Sequence, residues 1–313
     1  MTDTMVSLQR KIDNAKDLGG VVRTMKAIAA SNIGQVEQSV RALAEYTQRV
    51  ELGLGVCLRQ ELAARPISIR QRGSKPQWVT AVVFGSDQGL VGRFNDLVSH
   101  YAVEQFKHVA GTVAVWAVGD RVAACLRDAG IQPVGVFPVP TSVTAITPLV
   151  DEIQIETQQW GAHRQDDRRV FWAFLNRFDG GLAYEPTTIR ILPLDESWQK
   201  EVAAVGWPTK VLPEVIGSGH TTLRALIREF LFVSLFQAAA ESLASENRSR
   251  LLAMERAERN IEELVENLSL RFHRLRQNKI DEELFDVVSG YEALGADRDG
   301  VSFLPLPKSP PVG

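Results

Sequence analysis

"ASENRSRLLAMERAERNIEELVENLSLRFHRLRQNKIDEELFDVVSG", residues 244–290, closes a run that holds neither proline nor glycine from Thr221 to Ser289. Leu243, Asn247, Leu251, Met254, Ala257, Ile261, Leu264, Leu268, Phe272 and Leu275 recur along it at a step of about 3.5 residues, the period of a left-handed coiled coil. The other end of the chain repeats the pattern. Leu8, Ile12, Ala15, Leu18, Val22, Met25, Ala29, Ile33, Val36, Val40, Leu43, Val50 and Leu54 form a second stripe, with Tyr46 filling its one gap. No proline precedes Pro66. At ~1.5 Å per residue the helix from Ser7 to Leu58 runs roughly 75 Å, far beyond an ordinary globular helix.

Two such helices separated by an insert pair most simply antiparallel, with residue 58 beside residue 221 and residue 7 beside about residue 272. Residues 273–294 are then left without a partner from this chain. The stripe breaks phase there, from Leu275 to Ile280, and continues through Leu284, Val287 and Tyr291. A helix carrying such residues must bury them in something else, so this end points to another protein.

The middle changes period. "QWVTAVVF" (77–84), "GTVAVWAV" (111–118) and "IQPVGVF" (131–137) read as strands, and the segments between them read as amphipathic helices. That alternation predicts a largely parallel sheet with helices on its faces. A helix at about 144–161 precedes two paired strands, 168–178 and 184–194, joined by "DGGLA". The expected fold is therefore α/β: a long antiparallel two-helix coiled coil from the terminal segments, carrying an inserted α/β domain. The expected divisions are 1–65, 76–200 and 213–294, followed by a proline- and glycine-rich tail at 295–313.

Composition excludes several classes. A chain of 313 residues forms one large domain or two ordinary ones. A net charge of −3 and a pI near 6.0 give no basic footprint for nucleic acid. Two cysteines, Cys57 and Cys125, make no disulfide scaffold or structural metal site and read as small buried hydrophobes. The N-terminus has no apolar core of signal-peptide type, and no run of ~18 apolar residues occurs to span a bilayer.

"FGSDQGLVGRFN" (84–95) resembles a nucleotide loop, with Gly85, Gly89 and Gly92 between a strand and a helix. It lacks the Gly-Lys-Ser/Thr of a phosphate loop, and its spacing is not Gly-x-Gly-x-x-Gly. Asp87 would also set a negative charge where phosphate would lie. These positions read as a structural strand-to-helix turn. His100, His108, His163, His220 and His273 are scattered, in neither metal nor nucleophile spacing. "ASENRSR" and "DEELFD" read as charged helix faces, solvated or interfacial. No catalytic, cofactor or metal site is expected.

Three stretches together resemble the γ subunit of F-type ATP synthases, the central rotor. "RTMKAIAAS" (23–31) is similar to the family's first-helix signature. "SDQGLVGRFN" (86–95) is similar to its Ser-Asp-Arg-Gly-Leu-Cys-Gly-Gly-Leu-Asn turn. "ASENRSRLLAM" (244–254) and "LRQNKIDEELFDVVSG" (275–290) are similar to its terminal helix. The likeness covers about residues 5–294.

The resemblance implies that the turn is structural and that nucleotides bind on other subunits. It implies a shaft standing on a membrane rotor ring, with the unpaired helix in the bore of an α3β3 hexamer. Its turning would couple ion flow through the ring to ATP synthesis or hydrolysis. Implied partners are the α and β subunits, the epsilon subunit and the c-ring. The implied place is peripheral, on the cytoplasmic face of a bacterial inner membrane. Implied hexamer contacts are Met25 and Lys26 on the first helix, and Arg250, Arg276, Gln277, Asp281 and Glu283 on the last.

Departures from the family are Gln88, Val91, Arg93 and Phe94 in the turn, Asp281 where threonine is usual, Gly19–Gly20 inside the first helix, and the tail. Gly19 and Gly20 mark a close helix approach or a local bend. Together these departures imply a divergent rotor from an alternative ion-translocating ATPase. Two other readings stand beside this one. A coiled-coil tether or regulatory paralogue predicts a dispensable 273–294 segment, and an enzyme on the α/β middle predicts ligand binding by residues 76–200.

Overall fold

The structure is a computed structural model that describes residues 4–64, 78–109, 111–162, 169–178, 184–192, 196–211, 213–215 and 219–296. The linker "DGGLA" at 179–183, His163 and the tail from 297 lie outside the described residues. Helix α1 runs Met5–Ala64. Strand β1 (Trp78–Phe84), helix α2 (Phe94–Lys107), β2 (Thr112–Val118), α3 (Asp120–Asp128), β3 (Gly135–Phe137), α4 (Ile146–Ala162), β4 (Arg169–Phe178), β5 (Tyr184–Leu192) and α5 (Glu196–Ala204) follow. Helix α6 runs Gly219–Ala296. The chain divides into two compact units, one of residues 1–23 with 257–313 and the other of residues 24–256.

In the larger unit the sheet has the order β3-β2-β1-β4-β5. β1 pairs in parallel with β2 and β4, β2 in parallel with β3, and only β4–β5 is antiparallel. The expected parallel sheet is present. Its two faces are both covered, which is why β1 reads as a continuous apolar run rather than an alternation. Val82, Phe84, Trp116, Ala173 and Leu175 face a core with α4, Val36 of α1 and Leu235–Leu243 of α6. Ala81, Val83, Val115 and Ala117 face α2 and α3. β3 is shorter than its sequence suggests and begins only at Gly135, because Pro133 has no N–H to give to a ladder.

Helix α5, which the hydropathy pattern does not announce, packs Val202 on Val50, Leu54, Cys57 and Leu58 of α1 and Leu223 of α6. Cys57 is buried there and forms no disulfide. Arg59 donates to the carbonyl oxygens of Ala203 (3.0 Å) and Val205 (2.9 Å), satisfying groups that the end of α5 leaves open.

Within this unit α1 and α6 run antiparallel. Tyr46 donates to Glu229 at 2.6 Å, Arg248 pairs with Glu37, and Asn32 donates to Asn247 at 3.4 Å, so partners descend one helix as they ascend the other. The smaller unit repeats the sense of pairing: Leu8 and Ile12 bury against Leu268, with Phe272 and Leu275 at the margin.

The stripes need correction at Tyr46, which is 43 % exposed beside a half-buried Thr47, and at two further positions. Leu18 is 59 % exposed, and the buried seam passes through Gly19, whose Cα side faces Ile261 of α6 at ordinary contact distance. Leu264 is 49 % exposed and Val265 takes its place. Both shifts follow from the same cause: a helix at 3.6 residues per turn drifts off a 3.5-residue seam. α1 is continuous through Gly19–Gly20, so of the two explanations for those glycines the close approach holds for Gly19, while Gly20 has open space.

Candidate functional site

The turn after β1 is built by contacts that leave its polar groups occupied. An added Cβ at Gly85 would lie 2.3 Å from Val122 Cβ, so α3 packs here only against glycine. The Ser86 N–H donates to Asn95 Oδ1 (2.9 Å), and Asn95 Nδ2 donates back to Ser86 Oγ (2.8 Å). Asp87 accepts the N–H of Asp120 at the start of α3 (3.0 Å) and the N–H of Val139 (2.9 Å). Its charge thus sits at the positive end of a helix dipole, not in an open cradle. Gly89 follows, and Gly92 holds the left-handed conformation, with φ of 59°. Ser249 of α6 donates to the Val91 carbonyl (2.6 Å), and Asn176 of β4 to the Phe94 carbonyl (2.8 Å). A phosphate cradle needs N–H groups that converge on open space; here the Ser86 N–H and both Asp87 oxygens are already engaged within the fold.

Beside this turn is a cleft of about 270 Å³. Met25, Ile28 and Ala29 of α1, Val139 and Pro140 after β3, and Leu243 of α6 give it apolar walls. Asp87, Glu246 and Arg250 give it charge. Arg250 donates to Glu246 Oε1 at 2.5 Å. The Glu246 carboxyl is held above its ordinary range, first by burial, with the nearby Arg250 charge lowering it and Asp87 adding to the rise. Met25 and Arg250, two of the seven expected contact residues, therefore share one site. Lys26 is the next residue of α1 and half-buried.

The other four lie in the smaller unit. Arg276, Gln277, Asp281 and Glu283 are all exposed on α6, and Glu283 approaches Lys279 at 3.9 Å. Around them Ile280, Leu284, Phe285, Val287 and Tyr291 are also bare, from 53 % to 80 % exposed. Large apolar side chains at this density on one helix end are the mark of a surface that works when covered. Among the described residues, no group of three or more His, Cys, Asp or Glu is placed to hold a metal ion, and no helix is long and apolar enough to cross a membrane.

A family model described as ATP synthase matches residues 4–294, nearly the whole chain. The chain belongs to the ATP synthase gamma family. The ATP synthase gamma chain of Roseiflexus castenholzii is 27% identical, over 92% of this chain and 97% of the relative. That of Zymomonas mobilis is 26% identical, over 93% and 99%. A chain from the Euglena gracilis mitochondrial ATP synthase (OSCP, F1 and c-ring, rotational state 3) shares the fold at a TM-score of 0.58, with 14% identity and coverage of 97% and 99%. A chain from the central stalk and c-ring of the Tetrahymena thermophila enzyme does so at 0.55, with 17% identity and coverage of 76% and 99%.

Within this ATP synthase gamma family member, sequence reasoning misjudged one stretch. "ASENRSR", expected as a solvated or interfacial face, is not solvated: Ser245, Glu246, Asn247 and Ser249 are each 4 % exposed or less. Its polar atoms serve the turn and α1 instead, and Arg248 stacks its guanidinium 4.3 Å above the Phe178 ring. One signal was present, since Asn247 falls on the buried stripe in place of an apolar residue. "DEELFD" is exposed throughout.

Proposed function

We propose that this chain is the central-stalk rotor subunit of an F-type ATP synthase or ATPase. It couples ion flow through the membrane ring to ATP synthesis or hydrolysis on an α3β3 hexamer. The observation that carries this is the bare end of α6, polar and apolar together over Arg276–Tyr291, in a chain whose family match runs to residue 294. An interface that must slip past three equivalent surfaces favours contacts without deep interdigitation, and the polar run "RQNKIDEE" supplies them.

The subunit itself is non-catalytic: nucleotide chemistry belongs to the α and β subunits, and the turn at 85–95 supports α3 and α6. Met25, Lys26, Arg250, Arg276, Gln277, Asp281 and Glu283 contact the hexamer, while the epsilon subunit and the c-ring bind the α/β body. The complex holds the chain peripherally at the cytoplasmic face of a bacterial inner membrane. The divisions 1–65, 76–200, 213–294 and 295–313 describe its working parts.

Reconstitution tests the reading. The full chain mixed with α and β subunits should yield a complex that hydrolyses ATP, and the chain ended after residue 272 should not. Equal activity from the truncated chain would favour a tether with a dispensable helix end. No assembly at all would leave only common ancestry.

A further inference from the structure

The charge on the exposed end of α6 falls in two blocks. Arg271, Arg274, Arg276 and Lys279 stand before Ile280, and Asp281, Glu282, Glu283 and Asp286 after it. The exposed apolar residues follow a heptad seam of their own. Leu270, 50 % exposed, and Ile280, Leu284, Val287 and Tyr291 recur at coiled-coil spacing, with exposed His273 and Gln277 filling the two gaps. At ~100° per residue this seam lies roughly 140° around the helix from Leu268, Phe272 and Leu275, which pack toward Leu8 and Ile12 of α1. It is a second face of α6, and α1 does not cover it.

We propose that this seam pairs antiparallel with the same seam of a second copy of the chain, about a two-fold axis between Asn278 and Lys279. In that register Leu270 of one copy meets Val287 of the other, His273 meets Leu284, and Gln277 meets Ile280, each pair occurring on both sides of the axis. The flanking positions decide the direction. Arg274 falls opposite Asp281 and Arg276 opposite Glu283, again on both sides. A parallel pair would lay basic block on basic block and acidic on acidic, and would be repelled along its length. Arg274, Arg276 and Asp281 make no ion pair among the described residues. Glu283 approaches only Lys279, at 3.9 Å, with the two side chains 69 % and 63 % exposed. So open a pair is too weak to hold Glu283 back. The polar layers at His273 and Gln277 pin the register at a cost in stability, so the dimer is weak, with a Kd on the order of tens of micromolar.

The proposal goes beyond the rotor reading and concerns the chain before assembly. The dimer covers the face that the hexamer would take, so the two exclude one another and the free chain shields its bare end. Sedimentation equilibrium of the free full chain is the test. Its apparent mass should rise with concentration from 34.6 kDa toward twice that value, and high salt should reduce the rise. Two variants, Arg274→Glu with Arg276→Glu and Asp281→Lys with Glu283→Lys, should each stay monomeric alone and associate when mixed, because mixing restores opposite charge at every flanking pair. A mass that stays at 34.6 kDa at ten times the stated Kd would overturn the proposal. Variants that associate alone as readily as the parent would do the same, as would no association on mixing by variants whose circular dichroism matches the parent's. A disulfide between two Tyr291→Cys chains would overturn it as well, since those positions meet in a parallel pair and lie far apart in this one. Adding α and β subunits should dissolve the dimer; a dimer that persists because no complex forms strikes the rotor reading and leaves this proposal standing.

Discussion

Leu243–Met254 and Arg276–Tyr291 lie on one helix, α6, in opposite surroundings. The first stretch buries two serines, a glutamate and an asparagine; the second exposes an isoleucine, a leucine, a phenylalanine, two valines and a tyrosine. Hydropathy alone would have placed them the other way round. What differs is where each finds its partners. Most of the polar stretch finds partners inside the larger unit, in the turn after β1, in α1 and on the Phe178 ring, while Glu246 Oε2 has none among the described residues. The apolar stretch is satisfied by nothing in this chain that the structure describes. The comparison teaches that a buried polar run marks a finished interface within the fold, and an exposed apolar run marks one to be completed by another molecule.

Five measurements would break or sharpen that contrast. Trp116→Ala, which empties the centre of the sheet's core against Trp160, should lower the stability of the larger unit by about 3–5 kcal/mol in urea unfolding. A loss under ~1 kcal/mol would show a body too loose to support a fixed site. Gly119→Ala comes next, at about 2–3 kcal/mol, because φ is 114° there and an added Cβ would sit 2.6 Å from the Ser86 carbonyl oxygen. Asp87→Ala strands the N–H groups of Asp120 and Val139 and should lose about 2 kcal/mol. An unchanged midpoint there would mean that water replaces the carboxylate without penalty.

The fourth concerns pH. The folded Glu246 holds its proton to higher pH than the unfolded chain does. Its contribution to stability is therefore complete below the ordinary value of 4.5 and is lost as pH rises through the folded value. Unfolding midpoints should show a downward slope above pH 4.5 that Glu246→Gln removes; equal slopes in both chains would assign it to other groups. Smallest in stability, and largest in meaning, is Phe285→Ser. With the ring 70 % exposed, the isolated chain should stay within about 0.5 kcal/mol of the parent, while ATP hydrolysis by the assembled complex falls. A clear drop in the stability of the chain alone would show that this end is covered by the chain itself.

Much of this was legible in the sequence. The absence of proline and glycine over Thr221–Ser289 and a step near 3.5 residues require a long helix with a seam, because backbone hydrogen bonding and side-chain period are local properties. The alternation of strands and amphipathic helices foretold a parallel sheet with helices on its faces. The same counting showed that residues beyond Leu275 exceed what the first helix can pair with.

Only the tertiary structure decided which residues of each seam turn inward. Gly19 stands where Leu18 was expected, and Val265 where Leu264 was, since small angular drifts accumulate over a long helix and the facing side chain settles them. The fold alone also brought Met25, Asp87, Glu246 and Arg250 to one cleft and buried Ser245, Glu246, Asn247 and Ser249. Periodicity reports which side of an element is apolar. It carries no information on which polar groups, far apart in the chain, will find one another and so be allowed inside.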